Sequence, residues 1–407
     1  MRRRWLPVLF ASLMVLMLAG PGDSADKPVK LGFVYIMSGP AATYGQFARQ
    51  GAELAIDEVN KAGGINGRKV EGFFEDDTGK SDVGIRCVRK LVYENEADVI
   101  VGIDSSGVVS AVAPVMKELK TPLIITHAAV SDVTGGNCNI YTFRVSLNID
   151  QNIAMASSIA AESKAKVWTT VGPDYSFGHQ SWEYFQKYLK NKKPEVAFLS
   201  DTEAAFPPTA TTDFSAFITK VMNSKADGVL ISLWGGNLID FVRQASEMGF
   251  FDGKREVLMT LGAATEVLYA LKDKMPTGLW VGTRYWFQAN ETPENKAFVN
   301  AYKERFGVYP SYNAHGAYAA VKTYAAAAKK AGSVDKEKII KALEGLTIDL
   351  PIGKTAIRAG DHQAVSEGTW GKTAAAPDMP IRILKPMRHF PGEEITPSVE
   401  ATGCKMH

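Results

Sequence analysis

The sequence is poor in the residues from which catalytic and metal centres are usually built. It holds six histidines among 407 residues, and each of them (His127, His179, His315, His362, His389 and His407) stands alone. No His-x-x-x-His pair sets two imidazoles on one helix face, so no metal is implied. The segment after the first strand, Ser38-Gly39-Pro40-Ala41-Ala42-Thr43-Tyr44-Gly45, lacks the G-x-G-x-x-G spacing that a dinucleotide pyrophosphate requires. No G-x-S-x-G elbow surrounds Ser105 and Ser106, so a serine hydrolase is not indicated. Charge of one sign is also missing: 46 Lys and Arg against 44 Asp and Glu give a formal charge of +2. A nucleic-acid partner would call for a basic excess on some face, and none is expected here. Together these absences point away from an enzyme and from any cofactor.

Long apolar runs are missing too, beyond one near the start. Arg2, Arg3 and Arg4 precede an apolar stretch over 8–18, and the small-residue segment Ala19-Gly20-Pro21-Gly22-Asp23-Ser24-Ala25 follows. This order is that of a secretory signal. The run is shorter than the ~20 residues needed to cross a bilayer. Residues 1–25 therefore read as a signal peptide cleaved near Ala25, which makes the chain an exported one. Pro21 occupies the place of a lipobox cysteine, which argues against a lipid anchor. Removing residues 1–25 takes away those arginines and Asp23, leaving the remainder close to neutral.

Cysteine is scarce, with three in all. Cys87 shares a helical face with Val88, Leu91 and Val92 and reads as a buried free thiol. Cys138 and Cys404 sit in polar, glycine-containing loop sequence, where an oxidising compartment would let them pair and pin the C-terminal tail over 391–407. Spacing does not fix connectivity; the 138–404 disulfide is an expectation.

What is present is alternation. Leu31-Gly32-Phe33-Val34-Tyr35-Ile36 reads as a buried strand, and a helix over 44–62 stops at Gly63-Gly64. Strand and helix patterns then alternate through 69–125, and the series restarts at Lys166-Val167-Trp168-Thr169-Thr170-Val171 and continues to Val257-Leu258-Met259-Thr260. Such alternation gives parallel sheets covered on both faces, an α/β fold. Two similar series imply two doubly wound lobes. One is expected over 26–144 and 277–355, the other over 145–276 and 356–390.

The resemblance to a known family is carried by ordered motifs. They are Met37 to Gly45, Ala55-Ile56-Asp57-Glu58-Val59-Asn60-Lys61-Ala62-Gly63-Gly64-Ile65-Asn66-Gly67, Asp76-Asp77, Ser105-Ser106-Gly107, Thr126-His127-Ala128-Ala129, Asp174-Tyr175-Ser176-Phe177-Gly178 and Thr212-Asp213-Phe214. With them the chain resembles the branched-chain amino-acid binding proteins of ABC transporters over nearly all of the exported part. The resemblance implies the type I periplasmic-binding fold with a three-crossing hinge, a periplasmic location, a monomer, and a membrane permease as partner. A ligand-sensing domain of the same fold is the alternative, as is an amino-acid or amide binder.

Ligands of open α/β sheets sit beyond the carboxyl ends of the strands. Ser105 and Ser106 join hydroxyls to backbone N–H groups at a helix start, which suits a carboxylate. Thr126, His127, Ala128 and Ala129 form a second loop there, with His127 a candidate hydrogen-bond donor. Tyr44, Tyr175 and Trp234 match the ring-bearing cleft walls implied by the resemblance, and Gly262 marks the second-lobe loop. Two departures follow. Val130 stands where the amino-acid binders carry a hydroxyl residue, and Gly262-Ala263-Ala264 stands where they carry the carboxylate that neutralises an ammonium; the nearest acid is Glu266. A buried ammonium without a counterion is costly. The expected ligand is therefore an organic, aromatic-type carboxylate rather than leucine, isoleucine or valine.

Overall fold

A computed structural model describes residues 27–406. The signal-peptide expectation lies outside the described residues. No helix among those described is long and apolar enough to cross a membrane.

The first sheet contains β1 (Val29–Tyr35), β2 (Val70–Asp76), β3 (Val99–Gly102), β4 (Leu123–Ile125) and β5 (Thr142–Arg144). Its order is β2-β1-β3-β4-β5 and every pairing is parallel. Helices α1 (Ala42–Lys61), α2 (Ser81–Tyr93) and α3 (Ser106–Leu119) connect its strands. β1 lies between two neighbours with both faces covered, which is why it reads as an uninterrupted apolar run. Past the end of α1, Gly64 takes φ +77, and a Cβ there would stand 2.0 Å from the Arg68 carbonyl oxygen. Only glycine fits that turn.

The second sheet follows α4 (Ile149–Glu162) and holds β6 (Val167–Val171), β7 (Ala197–Phe198), β8 (Gly228–Ile231), β9 (Glu256–Met259) and β10 (Trp280–Thr283). The helices α5 (Ser176–Lys192), α6 (Ser215–Met222), α7 (Gly235–Glu247) and α8 (Thr265–Leu271) alternate with them. The chain then returns through α9 (Pro293–Phe306), α10 (Tyr312–Ala331) and α11 (Lys336–Leu343), with α10 packed along α1. A small antiparallel sheet of β11 (Thr347–Leu350), β12 (Gly353–Ile357) and β13 (Ala364–Val365) comes next. The hairpin β14 (Gly368–Ala374) and β15 (Ile383–Phe390) closes the second sheet, whose order is β15-β14-β10-β9-β8-β6-β7. Two short helical turns, α12 (Gly392–Ile395) and α13 (Val399–Thr402), end the described chain.

The polypeptide passes between the lobes at 145–148, 284–292 and 366–367, which is the three-crossing arrangement of a type I periplasmic-binding fold. Two boundaries differ from the sequence expectation. The segment 277–355 does not lie wholly in the first lobe, because Trp280 and Val281 take Leu258 and Met259 as parallel partners. β10 is thus a second-lobe strand, and the crossing falls after Thr283. Likewise β12 and β13 pair with each other beside β11, which touches α9 and α10, so 356–365 stays out of the second sheet. β14 is not visible in the sequence: Gly368-Thr369-Trp370-Gly371-Lys372-Thr373-Ala374 has no apolar alternation, and Trp370 alone fills the core there.

Cys138 and Cys404 are joined, with Cα atoms 5.6 Å apart across a separation of 266 residues, and Cys87 is free and buried. The bond ties α13 to the turn at Ser131–Thr134. Replacing both with serine is expected to cost roughly 2–5 kcal/mol of stability, read by denaturant melts beside a non-reduced peptide map. The contact between α1 and α10 gives a sharper test. A Cβ on Gly51 would sit 2.0 Å from the backbone oxygen of Ala314. Gly51→Ala must push the two helices apart and should lose about 1–3 kcal/mol or more; an unchanged melting temperature would refute this packing.

Candidate ligand site between the lobes

The carboxyl ends of the two sheets face one another across a narrow, nearly closed cleft. The first lobe contributes Tyr44 from α1, Asp104 and Ser106 at the entry to α3, His127 and Ala129 after β4, and Tyr312 at the start of α10. The second lobe contributes Tyr175 and Phe177 at the start of α5, Trp234 before α7, and Leu261 after β9. Arg284 enters from the second crossing.

The aromatic wall is held by hydrogen bonds as well as by contact. Tyr44 meets Trp234 edge-on at 5.2 Å between ring centroids and Tyr312 at 5.9 Å. Trp234 Nε1 donates to the Tyr175 hydroxyl at 2.9 Å, and the Gly235 N–H donates across the lobes to the Tyr44 hydroxyl at 3.0 Å. Each ring is therefore oriented by a partner other than a ligand. Burial raises the Tyr44 and Tyr175 hydroxyls above their ordinary range, so both stay protonated donors.

The polar floor is set by three side chains. Ser106 Oγ accepts the N–H groups of Ala129 at 3.3 Å and Val130 at 3.2 Å, which leaves its own hydrogen for the cavity. Asp104 Oδ2 accepts the Ile36 N–H at 2.7 Å, and its Oδ1 lies 2.9 Å from His127 Nδ1. That second contact is at ion-pair distance but outside hydrogen-bond alignment. His127 Nε2 faces the Asn313 carbonyl at 2.8 Å and so carries its hydrogen. The imidazole is fixed at both nitrogens, a placement suited to a structural or donor role and not to a free general base.

Arg284 differs from these. It is 5% exposed, donates through Nη1 to the His127 carbonyl, and stands over the rings of Tyr312 at 5.3 Å and Phe177 at 5.9 Å. Its Nε has no acceptor, and no carboxylate of the described residues is in contact with it. Burial lowers its pKa, yet a guanidinium remains charged at neutral pH. Asp104 thus has a basic neighbour, whereas this arginine has no acidic one.

Of the residues expected from sequence, Tyr44, Ser106, His127, Ala129, Tyr175 and Trp234 meet at the cavity. Ser105 takes the N-cap position of α3 without a side-chain cap bond and is not on the wall. Thr126 lies beneath it, against His127 Nδ1 at 2.9 Å and Tyr35. The Ala128 N–H is used by the Ile103 carbonyl at 2.8 Å. Gly262 is a packing glycine: a Cβ there would meet Val281 Cγ1 at 2.7 Å. Glu266 stands behind the wall, where Oε1 accepts from Asn313 Nδ2 at 2.6 Å and burial pushes its carboxyl up to about 8.

The sequence reading missed Arg284, Tyr312, Phe177 and Leu261 as wall residues. Thr283-Arg284-Tyr285-Trp286-Phe287 did carry a signal, a lone cation between a strand end and three aromatic residues. It was obscured by placing that strand in the wrong lobe.

The sequence matches the family described as "Periplasmic binding protein" over residues 28–373. The chain belongs to that family. Among curated relatives, it is 25% identical over 348 residues to the leucine-, isoleucine-, valine-, threonine- and alanine-binding protein of Pseudomonas aeruginosa, covering 85% of this chain and 89% of that one. The fold of this periplasmic binding protein matches an amino acid ABC transporter substrate-binding protein from Pseudomonas fluorescens Pf-5 with a TM-score of 0.82 at 25% identity, over 93% of this chain and 99% of the other. A solute-binding protein of an ABC transporter from R. palustris, solved in complex with 4-hydroxybenzoate, shares the fold with a TM-score of 0.80 at 22% identity, over 90% and 97% of the two chains.

The two serines separate experimentally. Ser106→Ala strands two buried N–H groups and should cost about 1–3 kcal/mol. Ser105→Ala, which removes no side-chain cap bond, should stay within about 0.5 kcal/mol. Equal losses in thermal melts would contradict the geometry.

Proposed function

We propose that this protein is the extracytoplasmic solute-binding component of an ABC importer, and that it captures a small organic carboxylate of aromatic type in the interlobe cavity. The observation that carries this reading is Arg284, a buried cation without an acidic partner in contact, set among aromatic rings. A buried charge is costly until something compensates it. A ligand carboxylate would do so, with charge-assisted hydrogen bonds from the guanidinium. The Ser106 hydroxyl and the N-terminus of α3 lie on the same wall and favour negative charge there. Tyr44, Tyr175, Trp234 and Tyr312 supply apolar faces with polar edges for the body of the ligand.

Capture proceeds by closure. The open and closed forms are in balance, and a ligand that contacts both lobes shifts it toward closure, with the three crossings bending and water leaving the cleft. The closed form is then the one a membrane permease in the periplasmic pathway would recognise, with the protein acting as a monomer, without cofactor or metal and without catalysing a reaction.

An amino-acid ligand is the second reading, favoured by the Asp104 carboxylate on the wall. It fares worse in the balance. Asp104 already has His127 at 2.9 Å, and Glu266, raised to about 8, is mostly protonated at neutral pH and offers no negative charge. An unpaired buried ammonium would cost several kcal/mol, while one apolar side chain returns about 1.5–3 kcal/mol. Calorimetric titration of the ligand-free protein with benzoate, 4-hydroxycinnamate and leucine decides between them. We expect heat with an aromatic acid and weak or no binding of leucine. Arg284→Gln should lose about 2–5 kcal/mol of that affinity with the fold intact. Tight leucine binding with no response to either acid restores the amino-acid reading.

A further inference from the structure

The lobes also touch directly behind the cavity. There α8 of the second lobe turns Thr265, Glu266 and Tyr269 toward the chain joining α9 to α10 in the first. Thr265 Oγ1 donates to the Tyr309 carbonyl at 3.4 Å, and the Tyr269 hydroxyl accepts the Tyr309 N–H at 3.0 Å. Glu266 Oε1 accepts from Asn313 Nδ2 at 2.6 Å. Glu266 is 4% exposed, and its Oε2 has no aligned donor. Asn313 in turn gives its backbone carbonyl to His127 Nε2. The clasp is therefore one residue removed from the ligand loop.

The groups acting on Glu266 bring it no positive charge. Asn313 of the α10 start reaches it with a hydrogen bond, the neighbouring Ser311 hydroxyl adds a neutral dipole, and Asp104 beyond β3 acts as a like charge. Tyr44 from α1, Tyr302 from α9 and Tyr312 from α10 face it as neutral phenols. His315, one turn along α10, is held down at about 3 by burial and is uncharged. A carboxylate in such surroundings is unfavourable, and a carboxylic acid is not.

We propose that Glu266 is a proton-dependent latch: the lobes close with Glu266 neutral against Asn313, and its ionisation drives them apart. Opening would separate α8 from α10 and admit water to the carboxyl. In the open form it would then titrate in the ordinary range, near 4.3. In the closed form it titrates at about 8. At pH values below the open-form pKa both forms hold the proton and closure has no proton dependence. Between the two values closure takes up a proton and weakens by up to about tenfold per pH unit. Above the closed-form value both forms are ionised and the penalty levels off. The device does not depend on which ligand the cavity takes.

The test uses the ligand-free protein, so its failure is separate from that of the carboxylate reading. Small-angle scattering at about pH 6 and about pH 9 compares wild type with Glu266→Gln, which keeps an acceptor for Asn313 but cannot ionise. We expect the wild type to expand on going to the higher pH and the variant to stay compact at both. Infrared spectroscopy should show the carbonyl band of a buried neutral carboxyl in the wild type at neutral pH, lost as pH rises through about 8. This second measurement stands by itself should the variant fail to fold. A wild-type radius unchanged with pH, the same expansion in Glu266→Gln, or no neutral-carboxyl band at pH 6 would overturn the proposal.

Discussion

Two arginines buried at the hinge hold one loop between them, and the geometry of the cleft depends on that grip. Arg144, at the end of β5, donates to the Val130 carbonyl at 2.6 Å, to Thr134 Oγ1 at 2.9 Å and to Gln363 Oε1 at 3.0 Å. Arg284, at the second crossing, donates to the carbonyl of His127. The loop from His127 to Val130 is thus tied to the first crossing, to the second and, through Gln363, to the approach to the third. Burial and the neighbouring Arg284 bring Arg144 down to about 9, which still leaves it charged at neutral pH. Two like charges at a dry hinge are tolerable because carbonyls and side-chain oxygens answer Arg144. Arg284 has fewer such partners among the described residues.

The same loop explains why so many polar groups near the cavity are already committed. Ala128 and Ala129 hold their N–H groups against Ile103 and Ser106, and His127 is fixed by Asn313 and Asp104. Small side chains here let the backbone lie against α3 with no bulk between them. The loop is a floor whose polar groups are positioned by the protein itself. Pre-organisation of this kind lowers the ordering cost of binding.

Closure has a physical counterpart in the direct contacts between lobes. Tyr44 with Gly235, and Glu266 with Asn313, join opposite lobes without a ligand atom between them. Their strength sets the balance between open and closed forms, and a ligand shifts that balance only by its differential affinity for the two.

Much of this protein was legible in its sequence because the relevant physics is local. A continuous apolar run marked β1, period-3.6 spacing placed the helix over 44–62 that the structure has at Ala42–Lys61, strand and helix patterns gave the repeated α/β series, and glycines ended the helix where the chain had to turn. Loop character singled out Cys138 and Cys404, and strand ends pointed to Ser106, His127, Ala129 and the three rings. What only the tertiary structure decided is pairing and charge compensation. β10 joins the second lobe because of which strand lies beside it, and β14 has no pattern of its own until Trp370 finds the core. Arg284 comes to line the candidate cavity only through folding, which buries it with no carboxylate of the described residues in contact, and burial raises the Glu266 carboxyl. Propensity and periodicity act between neighbours along the chain, whereas desolvation and ion pairing depend on neighbours in space, which a single sequence does not name.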